Sequence, residues 1–120
     1  MAVSPEMEQK LKEAERKKKL AGTVGIAKKA GKAILGTELV TGGIRSGSPK
    51  KCAVRVFLAQ NAAANTVKRV KNCCDYYEVP YSFLSLTTEE LARAVGKEGP
   101  LACIGILDAG LSEAILAKNV

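Results

Sequence analysis

From Ala53 to Ala59 the chain reads Ala-Val-Arg-Val-Phe-Leu-Ala, apolar at every position except Arg55. Successive side chains of an extended segment point to opposite faces, so this run predicts a central strand covered on both sides. Such a strand needs helices above and below it, and the flanking sequence supplies them. Leu20, Val24, Ile26 and Ala27 predict a helix face that stops at Gly31, and Ala33-Ile34-Leu35 predicts a short strand. Thr37 is the expected cap of the next helix, with Glu38 in its first turn, Val40 and Ile44 inward, and an end near Ser46–Gly47. The Gly42–Gly43 pair costs that helix about 1 kcal/mol per residue relative to Ala, so either something packs very close there or the helix is weak.

After a polar turn at Ser48-Pro49-Lys50-Lys51 and the apolar strand, Asn61 is the expected cap of a helix with Val67, Val70, Cys74 and Tyr77 on one face. Val79–Pro80 ends that helix, and Tyr81, Phe83 and Leu84 predict another strand. Thr87 and Glu90 form a capping box for a helix carrying Leu91 and Val95 and closed by Gly96. Leu101–Leu107 predicts a buried strand, and Asp108 caps a last helix with Leu111 and Ile115 inward. Four strands separated by helices make one α/β unit, a sheet sandwiched between helical layers.

The chain has 120 residues, with 19 Lys plus Arg against 12 Asp plus Glu, a net charge of +7. Residues 1–32 hold +5 of it, residues 33–88 hold +4, and residues 89–120 hold −2. One positive face toward a polyanion is the reading of that asymmetry. In residues 5–19, Ser4 can cap, Pro5 suits a first turn, and Glu6–Lys10, Glu8–Lys12, Glu13–Lys17 and Glu15–Lys19 are i,i+4 pairs. Met7, Leu11 and Ala14 make too thin an apolar stripe for a core helix. We expect residues 1–19 to be a charged helical extension of a single domain at 20–120. The Arg16–Lys19 run is then either a solvated face or a phosphate-binding arm.

Several functions are excluded or disfavoured. No His is present, which removes Ser-His and Cys-His catalysis and the commonest metal ligand. Gly22-Thr23-Val24-Gly25 and Gly31-Lys32 lack nucleotide-loop spacing, and the carboxylates are too scattered for an acid/base pair. The four cysteines show no disulfide or zinc spacing, and Cys74 and Cys103 read as small core residues. No run approaches the ~20 apolar residues of a membrane span, and the Glu-rich start does not read as a secretion signal. The expectation is a cytoplasmic protein that is not an enzyme and uses neither metal nor cofactor. With Tyr77 assigned to the core and Tyr81 to a strand, only Tyr76 is left to stack on bases. Folded RNA therefore suits the composition better than a single strand.

The runs Gly36-Thr37-Glu38-Leu39-Val40, Ile44-Arg45 and Leu58-Ala59-Gln60-Asn61-Ala62 resemble the kink-turn-binding ribosomal-protein family, the superfamily of L-seven-Ae, L-thirty-e and Gadd-forty-five. Asn65-Thr66, Lys68, Cys74-Asp75-Tyr76-Tyr77, Val79-Pro80-Tyr81, Leu91, Ala94 and Val95-Gly96-Lys97-Glu98 resemble its bacterial YlxQ-like branch in order and spacing. The likeness runs from about Leu20 to Lys118. It implies a three-layer α-β-α sandwich with a central four-stranded mixed sheet, and structured-RNA binding without catalysis. The RNA would be ribosomal or another kinked stem, with the ribosome a partner and neither membrane nor DNA involved. By position, the groove-entering segment is Gly36 to Gly42 and the base-covering loop is Lys97 to Pro100.

The expected RNA-binding residues are accordingly Lys32, Gly36, Thr37, Glu38, Leu39, Asn61, Lys97 and Glu98. Lys32 would neutralise phosphate, Gly36 permit close approach, Thr37 set the helix start, and Glu38 contact a base edge. The chain departs from the family pattern at Glu38-Leu39, where tight kink-turn binders resemble one another in carrying Asn-Glu, and at Gly42, where they carry Lys. Each lost base contact is worth about 1–3 kcal/mol, which shifts binding toward charge. Gln60-Asn61 replaces the usual acidic pair and removes repulsion from phosphate. The resemblance also includes protein-interaction modules on the same fold, which is the alternative function.

Overall fold

The computed structural model describes residues 4–48 and 50–119. Pro49, in the expected polar turn, and residues 1–3 of the expected extension lie outside the described residues. The elements in chain order are α1 (Pro5–Lys29), β1 (Ala33–Leu35), α2 (Thr37–Arg45), β2 (Arg55–Leu58), α3 (Ala64–Tyr76), β3 (Tyr81–Phe83), α4 (Thr88–Ala94), β4 (Cys103–Ile106) and α5 (Ala109–Lys118).

The four strands form one mixed sheet in the order β1-β4-β2-β3. β4 is antiparallel to both β1 and β2, whereas β3 is parallel to β2. The register sorts side chains to two faces. Phe57 pairs with Ile104, and both enter the core shared with Leu20, Leu91 and Ile115 of α1, α4 and α5. Leu58 pairs with Cys103, and both enter the core shared with Val40, Ile44 and Val70 of α2 and α3. Two cores separated by one sheet make the α-β-α sandwich. β2 is the central strand that its apolarity predicts, with Val56, Phe57 and Leu58 fully buried. It is shorter than the apolar run, because Val54 lies before the ladder and is 41% exposed.

α1 is a single 25-residue helix that carries two kinds of surface. From Ser4 to Arg16 every residue is exposed, and the buried stripe Leu20, Thr23, Val24 and Ala27 begins only where the sheet lies beneath. Ile26 points away from that stripe and is 59% exposed. Ser4 caps the helix by accepting from the Met7 N–H. Lys17, four residues after Glu13, reaches instead to Glu90 of α4 at 3.3 Å. The capping box holds Glu90 in place there: its carboxylate accepts from the Thr87 N–H while the Thr87 hydroxyl accepts from the Glu90 N–H.

Gly43 and Gly42 divide the roles expected of the pair. A Cβ on Gly43 would stand 2.2 Å from the Lys51 carbonyl oxygen, so the chain leading into β2 is seated directly on α2. A Cβ on Gly42 would meet nothing within 4 Å. Asn61 is not the cap of α3. Ala63 occupies that position, two residues later, and makes no side-chain cap bond.

Candidate nucleic-acid interface

β1, β2 and β3 point the same way, and each is followed by a helix. The starts of α2, α3 and α4 therefore gather at one end of the sheet, with their positive dipole ends. Their caps differ. α4 has the Thr87–Glu90 box, whereas α2 and α3 start after Gly36 and Ala63, neither of which makes a side-chain cap bond. The expected Thr37 cap is thus replaced by Gly36, with Thr37 in the first helical position.

Gly36 has φ 93, a left-handed value that an L side chain rarely adopts, and its N–H donates to the Cys103 carbonyl at 3.1 Å. The ammonium of Lys97 comes down from the α4–β4 loop to 3.9 Å from where a Gly36 Cβ would be. The Lys97 backbone N–H donates to the Ala92 carbonyl at 2.9 Å, which ties this loop back to α4. Two segments about 60 residues apart in the chain thus place a bare backbone and a cation side by side. The Thr37 hydroxyl faces inward and accepts from the Cys103 thiol at 3.7 Å. Burial pushes the Cys103 thiol up, against the opposing effects of that hydrogen bond and the Lys97 charge. Burial likewise pushes Cys74 up to about 12, so these thiols remain protonated core groups.

Glu38 does not stand free. Both arms of the Arg69 guanidinium on α3 donate to its two carboxylate oxygens, one at 2.9 Å. The Arg69 hydrogen bond, then the Arg69 charge, and further off the Arg45 charge hold the Glu38 carboxyl below its ordinary value. The acidic residue that would repel phosphate at the α2 start is thereby neutralised. Leu39 beside it is 66% exposed.

Asn61 is exposed after β2, and its side-chain oxygen accepts from the Thr88 N–H at 2.8 Å. It secures the start of α4 to the end of β2. Glu98 is exposed in the loop next to Lys97. Gln60, next to Asn61, lines a groove with Arg16 and Lys17 of α1, so the basic run of α1 reaches the same end of the sheet. Lys32 does not join this cluster. It precedes β1 while Gly36 follows it, so four residues of extended chain, on the order of 13 Å, separate them at opposite sheet ends.

A sequence profile described as the ribosomal protein L7Ae/L30e/S12e/Gadd45 family matches residues 18–116. The chain belongs to that family, in its YlxQ-like branch. A protein named RNA-binding protein YlxQ from Enterococcus faecium is 37% identical over 97 residues, covering 81% of this chain and 87% of that one. A Bacillus subtilis protein of the same name is 32% identical over 94 residues, covering 78% of this chain and 88% of that one. Among solved structures, a Bacillus halodurans protein of unknown function superposes with a TM-score of 0.71 at 28% identity, covering 83% and 95% of the two chains.

Three site-bordering residues of this YlxQ-like chain escape sequence reasoning. Arg69 and Arg45 are assigned no role by spacing: Arg69 meets Glu38 only across two helices, and Arg45 stands about two turns from Glu38 along α2. Tyr77 fits the apolar period of α3, yet it is the residue at which that helix stops and is 43% exposed. Cys73, one turn earlier on α3, is buried. The signal was available in Glu78-Val79-Pro80, where Glu78 turns left-handed at φ 56 and breaks the period.

Proposed function

We propose that this YlxQ-like chain is a non-enzymatic, cytoplasmic RNA-binding protein that grips a sharply bent, kink-turn-like stem, with ribosomal RNA the leading class of target. The observation that carries the reading is Lys97 over Gly36. A stem bent sharply crowds its phosphates, and a cation beside exposed amides is suited to that crowding. Gly36, Thr37, Glu38 and Leu39 form the face toward the groove, and Lys97 and Glu98 the covering loop. Asn61 shapes the surface between them. Residues 20–120 form the binding unit, and residues 1–19 a charged helical extension. The names of the Enterococcus and Bacillus relatives support RNA as the ligand.

The test is titration with a kinked stem, a straight duplex and a single strand of equal length, at two salt concentrations. Preference for the kinked stem that survives added salt is the expected result. Equal affinity for all three RNAs means that binding is a property of the basic surface alone. One observation favours the alternative of a protein-interaction module, the exposure of Leu39 at the centre of the same junction. A protein that copurifies after nuclease treatment, with no RNA affinity, would establish that reading instead.

A further inference from the structure

On the α2–α3 face, a groove of about 360 Å³ is lined by Arg45, Arg69, Asn72, Cys73, Tyr76 and Tyr77. It sets aromatic rings beside guanidinium groups. Tyr76 is 80% exposed, an unusual state for a ring of that size. The two rings meet edge to face, with centroids 4.8 Å apart and planes at 72°. This contact braces Tyr76 while leaving most of its surface toward solvent.

The lining contains two cations and no carboxylate. Glu38 takes two of the five N–H donors of Arg69, so three remain, and the Arg69 side chain is still 44% exposed. Arg45 is exposed and makes no ion pair among the described residues. A flat π surface flanked by planar cations and an amide suits a nucleobase and its phosphate, since rings stack on bases of any sequence. Arg69, which lines the groove, also holds Glu38, so the groove adjoins the pair that stands in the first turn of α2.

We infer that this groove holds an unpaired nucleotide flanking the bent stem, its base on Tyr76 and its phosphate on Arg45. This rests on the RNA-binding reading above but concerns a different surface. It also revises the expectation that Tyr76 alone is too little for stacking, because the fold brings Tyr77, Arg45 and Arg69 to its side.

The experiment uses the full chain and a kinked hairpin with a three-nucleotide single-stranded tail on either strand, compared with the same RNA whose tail is abasic. The base-bearing tail is expected to bind roughly tenfold tighter than the abasic one. Tyr76→Ala removes that difference and Tyr76→Phe retains it. The exposure of Tyr76 keeps the fold out of the comparison, and a thermal melt checks this. The protein has three Tyr and no Trp, so quenching of tyrosine emission by the base-bearing tail reads the stacking directly. If wild-type protein binds both RNAs equally while still preferring the kinked stem, the groove proposal fails and the RNA reading stands. If a tail preference survives Tyr76→Ala, the base sits elsewhere and the proposal fails. If neither RNA binds, both fall. Loss of a nuclease-resistant protein partner on Tyr76→Ala, with RNA affinity unchanged, makes the groove a protein contact and overturns it as well.

Discussion

Arg69 of α3 holds Glu38 of α2 with both arms of its guanidinium, although the two residues stand 31 positions apart. The contact joins the first turn of α2 to the second turn of α3, two helices that start at the same end of the sheet. It converts an unfavourable carboxylate into part of a neutral pair, at the point where the α2 amides are open.

RNA binding is expected to report this pair directly. Glu38→Gln frees a guanidinium and removes a negative charge, so affinity rises and the dependence of log K on log salt steepens by about one phosphate contact. Arg69→Ala leaves Glu38 facing the ligand alone, and affinity falls. Fluorescence anisotropy at three or more salt concentrations measures both; a fall in affinity for Glu38→Gln would mean that the carboxylate itself reads a base edge.

Acid stability carries the same signature. Glu38 is held below the ordinary 4.5 chiefly by the Arg69 hydrogen bond, and Glu90 chiefly by the Thr87 backbone N–H, with Lys17 adding to it. A lowered folded pKa means that the unfolded chain takes up the proton first as the pH falls. The stabilisation is therefore complete above about 4.5 and is lost as pH falls through the folded values. Thermal melts from neutral to about pH 3 are expected to show a smaller acid-induced drop in Tm for the E38Q/E90Q double variant than for wild type.

The two adjacent glycines of α2 are expected to respond in opposite senses. Gly43→Ala drives a methyl group into the Lys51 carbonyl and costs about 3 kcal/mol or more, because a backbone neighbour cannot rotate away. Gly42→Ala meets open space in a helix interior and stabilises by about 0.5–1 kcal/mol. Chemical denaturation of the two single variants separates them cleanly.

Asn61 offers a separation of scaffold from surface. Asn61→Ala removes the acceptor of the Thr88 N–H and is expected to cost about 1 kcal/mol. Asn61→Asp keeps an acceptor there, so stability is retained, but it adds a negative charge at the proposed RNA face and weakens binding. Stability curves and RNA titrations on the two variants should therefore disagree in rank.

Lys97 and Lys32 test the geometry of the interface. Lys97→Ala is expected to weaken RNA binding and lower the salt slope by about one, whereas Lys32→Ala, at the other end of β1, changes neither. Equal effects would mean diffuse attraction by the whole basic surface.

Much of the fold was legible because its signals are local. The Thr87–Glu90 box, the Asp108 cap, the apolar β2 and the end of the third helix before Pro80 each depend on residues within one turn or one strand. The same locality explains the errors. Asn61 looks like a cap by type, yet the chain runs two residues further before α3 begins, and Tyr77 continues a period that Glu78 has already ended. Of the candidate site, Gly36 to Leu39 and Lys97-Glu98 were legible as segments through resemblance, but not as neighbours.

The sequence by itself determined most of the elements, most of their inward faces and the sandwich class, since periodicity and capping are properties of short stretches. Only the tertiary structure decided which residues share an end of the sheet. Strand direction sends Lys32 to one end and Gly36 to the other, and sheet order brings Lys97 back over Gly36. Helix packing turns Glu38 toward Arg69 and Lys17 toward Glu90. Those encounters follow from the path of the whole chain, which no local pattern encodes.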